Sequence, residues 1–369
     1  MSEEWSEKWN PFNSDKLIAH VYRWSKIEKG KPIPNPILVT IDPTDVCNLK
    51  CIWCNSEYIQ KYNSSSMTKE TLLKIADFLS EWKVEAVCVA GGGEPLLNQN
   101  TSFFIDRCIE NGIKVGVVTN GFFIDKHLDS LSKCDWVGVS IDAGTPETYT
   151  KLKGVNVFNK VINNMKLLIN YKKESNLMKE GQGYGVTYKF LLHPFNVEDV
   201  YKATKIANEI GCKNMHIRPF GEPWDKLGKI EDKFTYSDIQ EFKEQLTKAR
   251  ILENKKFRVF GITHKFNGDF RKKNEFKECH AIFMTGVFMP PSGTGNFDYG
   301  FCCDRRGDKK LTLYNLKEPN EIKKIWGSKK HWEIFNEIKV NKCPRCTYQP
   351  HNIIFEKVIK ENNTTYQFI

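Results

Sequence analysis

The stretch CNLKCIWC, Cys47 to Cys54, places three thiols within eight residues. Thiolates this close hold metal, but a closed tetrahedral zinc site takes four ligands. Two centres fit the spacing. One is an iron–sulfur cluster with a cysteine on three of its irons, the fourth iron being open to a substrate or cofactor. The other is a zinc knuckle completed by a distant histidine or cysteine. A second group, Cys279, Cys302, Cys303, Cys343 and Cys346, lies far downstream, and the KCPRC spacing of its last pair alone suggests zinc. The remaining cysteines, Cys88, Cys108, Cys134 and Cys212, sit in apolar runs and read as core. No two histidines have close ligand spacing; His193 and His216 read as structural, with substrate contact as the alternative.

The elements that must position these thiols follow from the apolar pattern. ILVTID (37–42), EAVCVAGG (85–92), KVGVVTNG (114–121), WVGVSID (136–142), VTYKFLL (186–192) and NMHIRPF (214–220) are almost continuously hydrophobic, as strands buried on both faces of a parallel sheet are. Amphipathic segments separate them. In MTKETLLKIADFLSEW, Leu72, Ile75, Ala76, Leu79 and Trp82 recur at helical spacing behind a Thr68 cap. In NVEDVYKATKIANEIG, Val200, Ala203, Ile206, Ala207 and Ile210 form one face and Gly211 ends the helix. Alternating strands and helices predict βαβ units, with ligands at the carboxyl ends of the strands. The cysteine loop, GGGEP, TNG, SID and RPF all fall there.

CNLKCIWC after a first strand resembles the signature of the radical S-adenosylmethionine enzymes, with Trp53 in the aromatic position before the last cysteine. The resemblance covers roughly 37–220 and implies a partial (β/α)6 TIM-like barrel of parallel strands. It implies a 4Fe-4S cluster on Cys47, Cys51 and Cys54, whose open iron binds S-adenosylmethionine. One electron then yields a 5′-deoxyadenosyl radical that removes a hydrogen atom from substrate. Gly92, Gly93 and Glu94 match the family's GGE motif, where backbone receives the methionyl amino group. Thr119 and Asn120 resemble the third-strand ending, and Ser140 and Asp142 the fourth, near the cofactor's ribose. Arg218 is a candidate carboxylate partner, with pairing to Glu222 or a helix end as the alternative.

The stretch 279–346 resembles the "twitch" extension found on part of this family, related to the larger SPASM type. That likeness implies a second, auxiliary 4Fe-4S cluster on Cys279, Cys302, Cys343 and Cys346. Cys303 is a credible ligand in place of Cys302, and a structural zinc is the alternative metal. The expected organisation is α/β: an N-terminal helix and linker (1–36), the barrel (37–222), a helical connector (223–254) and a small α+β iron–sulfur domain (255–369).

The expected function is hydrogen abstraction from a small polar metabolite, such as a sugar, cyclitol, nucleoside or modified base. Dehydrogenation or lyase-type cleavage would follow, a queuine or nucleoside-salvage lyase being one form. A peptide maturase of the SPASM type and a non-catalytic metal-binding protein are the alternatives. Against the maturase, only 36 residues precede the first strand and the cysteines are too few for the seven-cysteine extension. The expected partners are the small-molecule substrate and a reductant such as flavodoxin or ferredoxin. The acidic, polar start and the lack of an eighteen-residue apolar stretch point to a cytoplasmic protein with no membrane span. A net charge of +10 reflects lysine spread along the chain, so direct nucleic-acid binding is not expected.

Overall fold

Each of the six apolar runs forms a strand. They are β1 (Leu38–Ile41), β2 (Ala86–Val89), β3 (Lys114–Thr119), β4 (Trp136–Ser140), β5 (Gly185–Leu192) and β6 (Asn214–Pro219). The computed structural model describes residues 19–62, 64–177, 185–221, 234–261, 276–343 and 346–360. The start of the expected N-terminal helix and Glu222 lie outside them.

Four further strands follow: β7 (Arg258–Gly261), β8 (Thr285–Met289), β9 (Phe297–Gly300) and β10 (Thr312–Leu316). All ten lie in one sheet, ordered β10-β9-β8-β1-β2-β3-β4-β5-β6-β7. The pairs from β1 through β7 are parallel, and β8 adds to the free side of β1 in parallel too. Only β8–β9 and β9–β10 are antiparallel. The sheet is open, as a partial barrel's is. Its continuity runs past residues 222 and 255, because β7 pairs with β6 and β8 with β1.

Alternation along the strands sorts side chains into two layers. Val87, Val115, Val117, Val137, Val139, Tyr188, Phe190, Met215 and Ile217 are buried against the helices. The intervening Cys88, Val118, Ser140, Lys189, Leu191, His216 and Arg218 are only half-buried and form the inner face. The outer layer owes its order to helices that form where their sequences predict. Lys69–Glu81 starts on Thr68, whose Oγ1 accepts the Thr71 N–H at 3.1 Å, and it buries Leu72, Ile75, Ala76 and Leu79. Val200–Glu209 buries Val200, Ala203 and Ala207, and the chain turns at Gly211 with φ +86°. Only glycine enters that region without strain.

The C-terminal helices Asn320–Ile325 and Lys329–Glu337 enclose an aromatic cluster of Phe283, Phe301, Trp326 and His331. Among the described residues no helix is long and apolar enough to cross a membrane.

Candidate functional site

The cysteine loop leaves β1 and is clamped at once by the GGGEP turn that follows β2. The Gly93 N–H donates to the Thr44 carbonyl at 3.0 Å and the Glu94 N–H to that of Val46 at 2.8 Å. A Cβ on Gly93 would stand 2.1 Å from the Val46 oxygen, and one on Gly92 2.6 Å from Asp45 Oδ1. These glycines therefore admit the backbone and side chain of the cysteine loop itself. The Glu94 carboxylate turns inward. Oε1 accepts from Thr119 Oγ1 at 2.5 Å and from the Leu96 N–H at 3.1 Å, and Oε2 accepts the Asn120 N–H at 2.7 Å. Burial pushes this carboxyl up to about 7, although the three donors oppose it. Asn120 Nδ2 in turn donates to Asn48 Oδ1 at 2.8 Å, inside the cysteine loop. Glu94, Thr119 and Asn120 thus act on one another and on the loop. Gln60 completes the clamp, donating to the Gly92 carbonyl at 2.7 Å and lying 3.8 Å from Cys54 Sγ.

The far side of the loop is held by the helix Pro146–Lys153. The Lys50 and Ile52 N–H groups donate to the Lys153 and Leu152 carbonyls, each at 3.1 Å. Lys153 Nζ pairs with Asp142 Oδ2, with both side chains almost wholly buried. Asp142 Oδ1 accepts the Leu191 N–H at 2.6 Å, and its backbone sits at φ +63°. Burial opposes the Lys153 charge, but Asp142 and Cys51 outweigh it and raise the ammonium's pKa. The Asp142 carboxylate therefore faces Lys153 and the β5 backbone. Trp53 stacks on His193, centroids 4.9 Å apart, with Phe220 beside them at 6.2 Å from the indole. His193 is buried and its Nδ1 accepts the Phe195 N–H at 3.2 Å, a structural role. Ser140 ends β4 on the inner face.

Burial pushes the Cys47 thiol up to about 12, against the Leu49 amide, with the charges of Glu94, Cys51 and Cys54 adding to it. Burial raises Cys51 and Cys54 as well, while Lys153 acts in the opposite direction on both. Among the described residues no three His, Cys, Asp or Glu side chains already stand as a set able to hold a metal ion. The donor chemistry nonetheless suits a cluster. Three mutually repelling, desolvated thiols on one clamped loop can ionise together only beside a cationic metal centre.

The second cysteine group divides in the structure. Burial raises Cys302, with Asp304, Cys303 and Cys279 contributing, and it raises Cys346, with Asp304, Cys279 and Cys302 contributing. Cys343 likewise acts on Cys279. Cys279, Cys302, Cys343 and Cys346 are thus electrostatic neighbours. Cys303 looks elsewhere: its neighbours include Asp304, Arg306, Tyr348 and Cys88, so it faces the barrel. Arg306, between the two cysteine groups, grips Asp42 through Nε at 2.5 Å and Nη2 at 3.1 Å. It also donates to the Cys303 carbonyl, and its own carbonyl accepts the Tyr58 hydroxyl.

Inside the barrel, Val118, Ser140, Lys189, Phe190, Leu191, His216 and Arg218 line a cavity of about 50 Å³. Cys88, expected in the core, is on this inner face and influences Lys189. An open groove of about 670 Å³ beside Lys310, Tyr314 and Glu333 contains no cysteine. Sequence reasoning missed Lys153, Gln60 and Arg306, which carry no motif. Lys189 had a visible signal, a lysine inside the apolar run VTYKFLL.

Residues 41–179 match the family model described as Radical SAM superfamily. The chain is 27% identical over 228 residues to a probable GTP 3′,8-cyclase of Saccharolobus islandicus, covering 60% of this chain and 67% of the relative. It is 27% identical over 255 residues to a probable GTP 3′,8-cyclase of Methanocaldococcus jannaschii, covering 66% and 80%. Among solved structures, Streptococcus suis SuiB bound to precursor peptide SuiA superposes with TM-score 0.61 at 16% identity, over 88% of this chain and 71% of that one. This is a likeness of fold. Over residues 41–179 the chain is thus similar to radical SAM domains, a family whose members imply a 4Fe-4S cluster and S-adenosylmethionine.

Proposed function

We propose that this radical SAM enzyme acts on a small polar metabolite, held in the barrel lumen beneath the Cys47–Cys54 loop. The observation that carries the reading is the polar inner face, where Ser140, Lys189, His216 and Arg218 line one small cavity. The probable GTP 3′,8-cyclases, named for a nucleotide, point the same way. A peptide substrate has in its favour a likeness of fold to peptide-bound structures such as that of SuiB. Dehydrogenation and lyase-type cleavage are both compatible with the lumen, and the cytoplasm and a flavodoxin- or ferredoxin-type reductant belong to the same reading.

Cys47, Cys51 and Cys54 would hold the first cluster, and Cys279, Cys302, Cys343 and Cys346 an auxiliary one in a twitch-like unit. When bound, the first cluster and S-adenosylmethionine supply a 5′-deoxyadenosyl radical by one-electron cleavage. The protein's part is orientation. Gly93 and Glu94 fix the start of the loop, and Asn120 ties Asn48 to the end of β3. Lys50 and Ile52 fasten its middle to the Lys153 helix end, and Trp53 covers the ends of β5 and β6 and sheds water from them. Gly92, Thr119, Ser140, Asp142 and Arg218 stay in the proposed cofactor surround, Thr119 and Asp142 through the groups they hold in place.

The test is anaerobic reconstitution and assay with dithionite for 5′-deoxyadenosine. Wild type should form it and Cys51→Ala should not; equal formation by the variant rejects the assignment.

A further inference from the structure

Among the described residues, the lumen carries positive charge that no ion pair meets. Ser140, Lys189 and His216 are lateral neighbours across β4, β5 and β6, and Arg218 lies beside Leu191 one step further along. The strands make room for them. A Cβ on Gly138 would stand 2.6 Å from Lys189 Cδ, so the glycine leaves the channel in which the lysine stem lies. Neither Lys189 nor Arg218 has an ion-pair partner among the described residues, and Arg218 Nε is buried with no hydrogen-bond acceptor. The nearest acids are engaged elsewhere. Asp142 holds Lys153 and the Leu191 N–H, while Asp304 accepts the Thr347 N–H at 2.6 Å and its hydroxyl at 2.8 Å. Burial lowers the Lys189 ammonium to about 8, and the Arg218 charge adds to that fall. Two desolvated cations sharing a small cavity are costly unless an anion joins them.

We propose that Lys189, His216 and Arg218 form a binding site for the oxyanion group, a carboxylate or a phosphate, of the substrate. This rests on the reading that substrate occupies the lumen, and it narrows the class to anionic metabolites. None of the cavity-lining residues comes from the Cys47–Cys54 loop or the GGGEP turn; Ser140 and Arg218 are shared with the proposed cofactor surround, so competition with S-adenosylmethionine decides whether the oxyanion is the substrate's. A guanidinium and an ammonium on adjacent strands suit an oxyanion with two or more acceptor oxygens.

The test is calorimetric titration of the reconstituted full chain with inorganic phosphate and with acetate, with and without saturating S-adenosylmethionine. We expect one saturable site for at least one anion, retained when S-adenosylmethionine is present and weakened about tenfold or more in Lys189→Met and in Arg218→Gln. The tighter of the two anions identifies the group. A neutral, similarly shaped side chain removes an uncompensated charge, so Lys189→Met should melt no lower than wild type. The bound anion should raise the melting temperature of wild type only. The proposal falls if neither anion binds, if both variants bind as wild type does, if S-adenosylmethionine displaces the anion, or if Lys189→Met melts well below wild type. None of these readouts requires cofactor cleavage, so 5′-deoxyadenosine formation by wild type can persist while this proposal fails.

Discussion

Replacing Lys153 with methionine tests the support under the cysteine loop. Its ammonium and the Asp142 carboxylate are 4% and 1% exposed, so neither reaches water in the fold. Methionine keeps the apolar stem but leaves the buried Asp142 carboxyl without its counter-ion, with the Leu191 backbone N–H still donating at 2.6 Å. Breaking a buried pair from one side costs about 3–5 kcal/mol, since the surviving charge is uncompensated. Asp142→Asn is gentler. The amide oxygen can still accept from Leu191, and asparagine tolerates φ +63° better than most residues. The stranded ammonium should then cost roughly 1–3 kcal/mol. Combining both substitutions removes both charges, so the double variant should lose less than the sum of the single losses, by about 1–3 kcal/mol. Guanidinium unfolding of the four anaerobic proteins, followed by circular dichroism and compared at constant slope, measures the cycle. A Lys153→Met loss below about 1 kcal/mol, or strictly additive single losses, would refute a pair that depends on mutual compensation.

Three further perturbations probe the turn, the aromatic cluster and the second cysteine group. In Gly93→Ala the new Cβ meets the Val46 oxygen at 2.1 Å, so backbone must move. A loss of about 1–3 kcal/mol by chemical denaturation and a fall in reconstituted iron are expected together. His331, buried among Phe283, Phe301 and Trp326, is lowered by burial to about 3 in the fold, from an ordinary 6.5. Its contribution is complete above pH 6.5 and is lost as pH falls towards 3. Between pH 7.5 and 5, His331→Leu should therefore gain about 2 kcal/mol relative to wild type, measured as the difference in unfolding free energy at the two pH values. Reconstituted wild type should bind about eight irons, Cys302→Ala about four and Cys303→Ala about eight, by iron analysis of the desalted proteins.

The sequence made the sheet legible because six runs are apolar on both faces and the helices between them carry clear caps and stops. β7 is only four residues long, and nothing in RVFG distinguishes it from a loop. The pairing of β8 with β1 was equally hidden, since it joins segments more than 240 residues apart and leaves no local periodicity. At the site, thiol spacing and the glycine turn were visible because their chemistry is local. The true neighbours of Asp142 were not: Lys153 looks like an ordinary basic residue in the last turn of a helix. Cys88 looked like core because its run is apolar. Two-residue alternation, combined with the curl of the sheet, puts it on the inner face instead.

The choice between Cys302 and Cys303 shows why the C-terminal segment has to share the barrel's sheet. Cys302 and Cys303 lie in the loop just past the end of β9. Once β8 extends the sheet beside β1 and β9 returns antiparallel, the loop after β9 lies over the inner face. One of its two thiols then turns towards Cys279 and Cys346, and the other towards Cys88. Arg306 fixes that choice by gripping Asp42 at the end of β1 while donating to the Cys303 carbonyl. A separately folded domain on a flexible tether could not hold this register. The continuous sheet thus carries both Cys88 and the loop of Cys303 to the inner face.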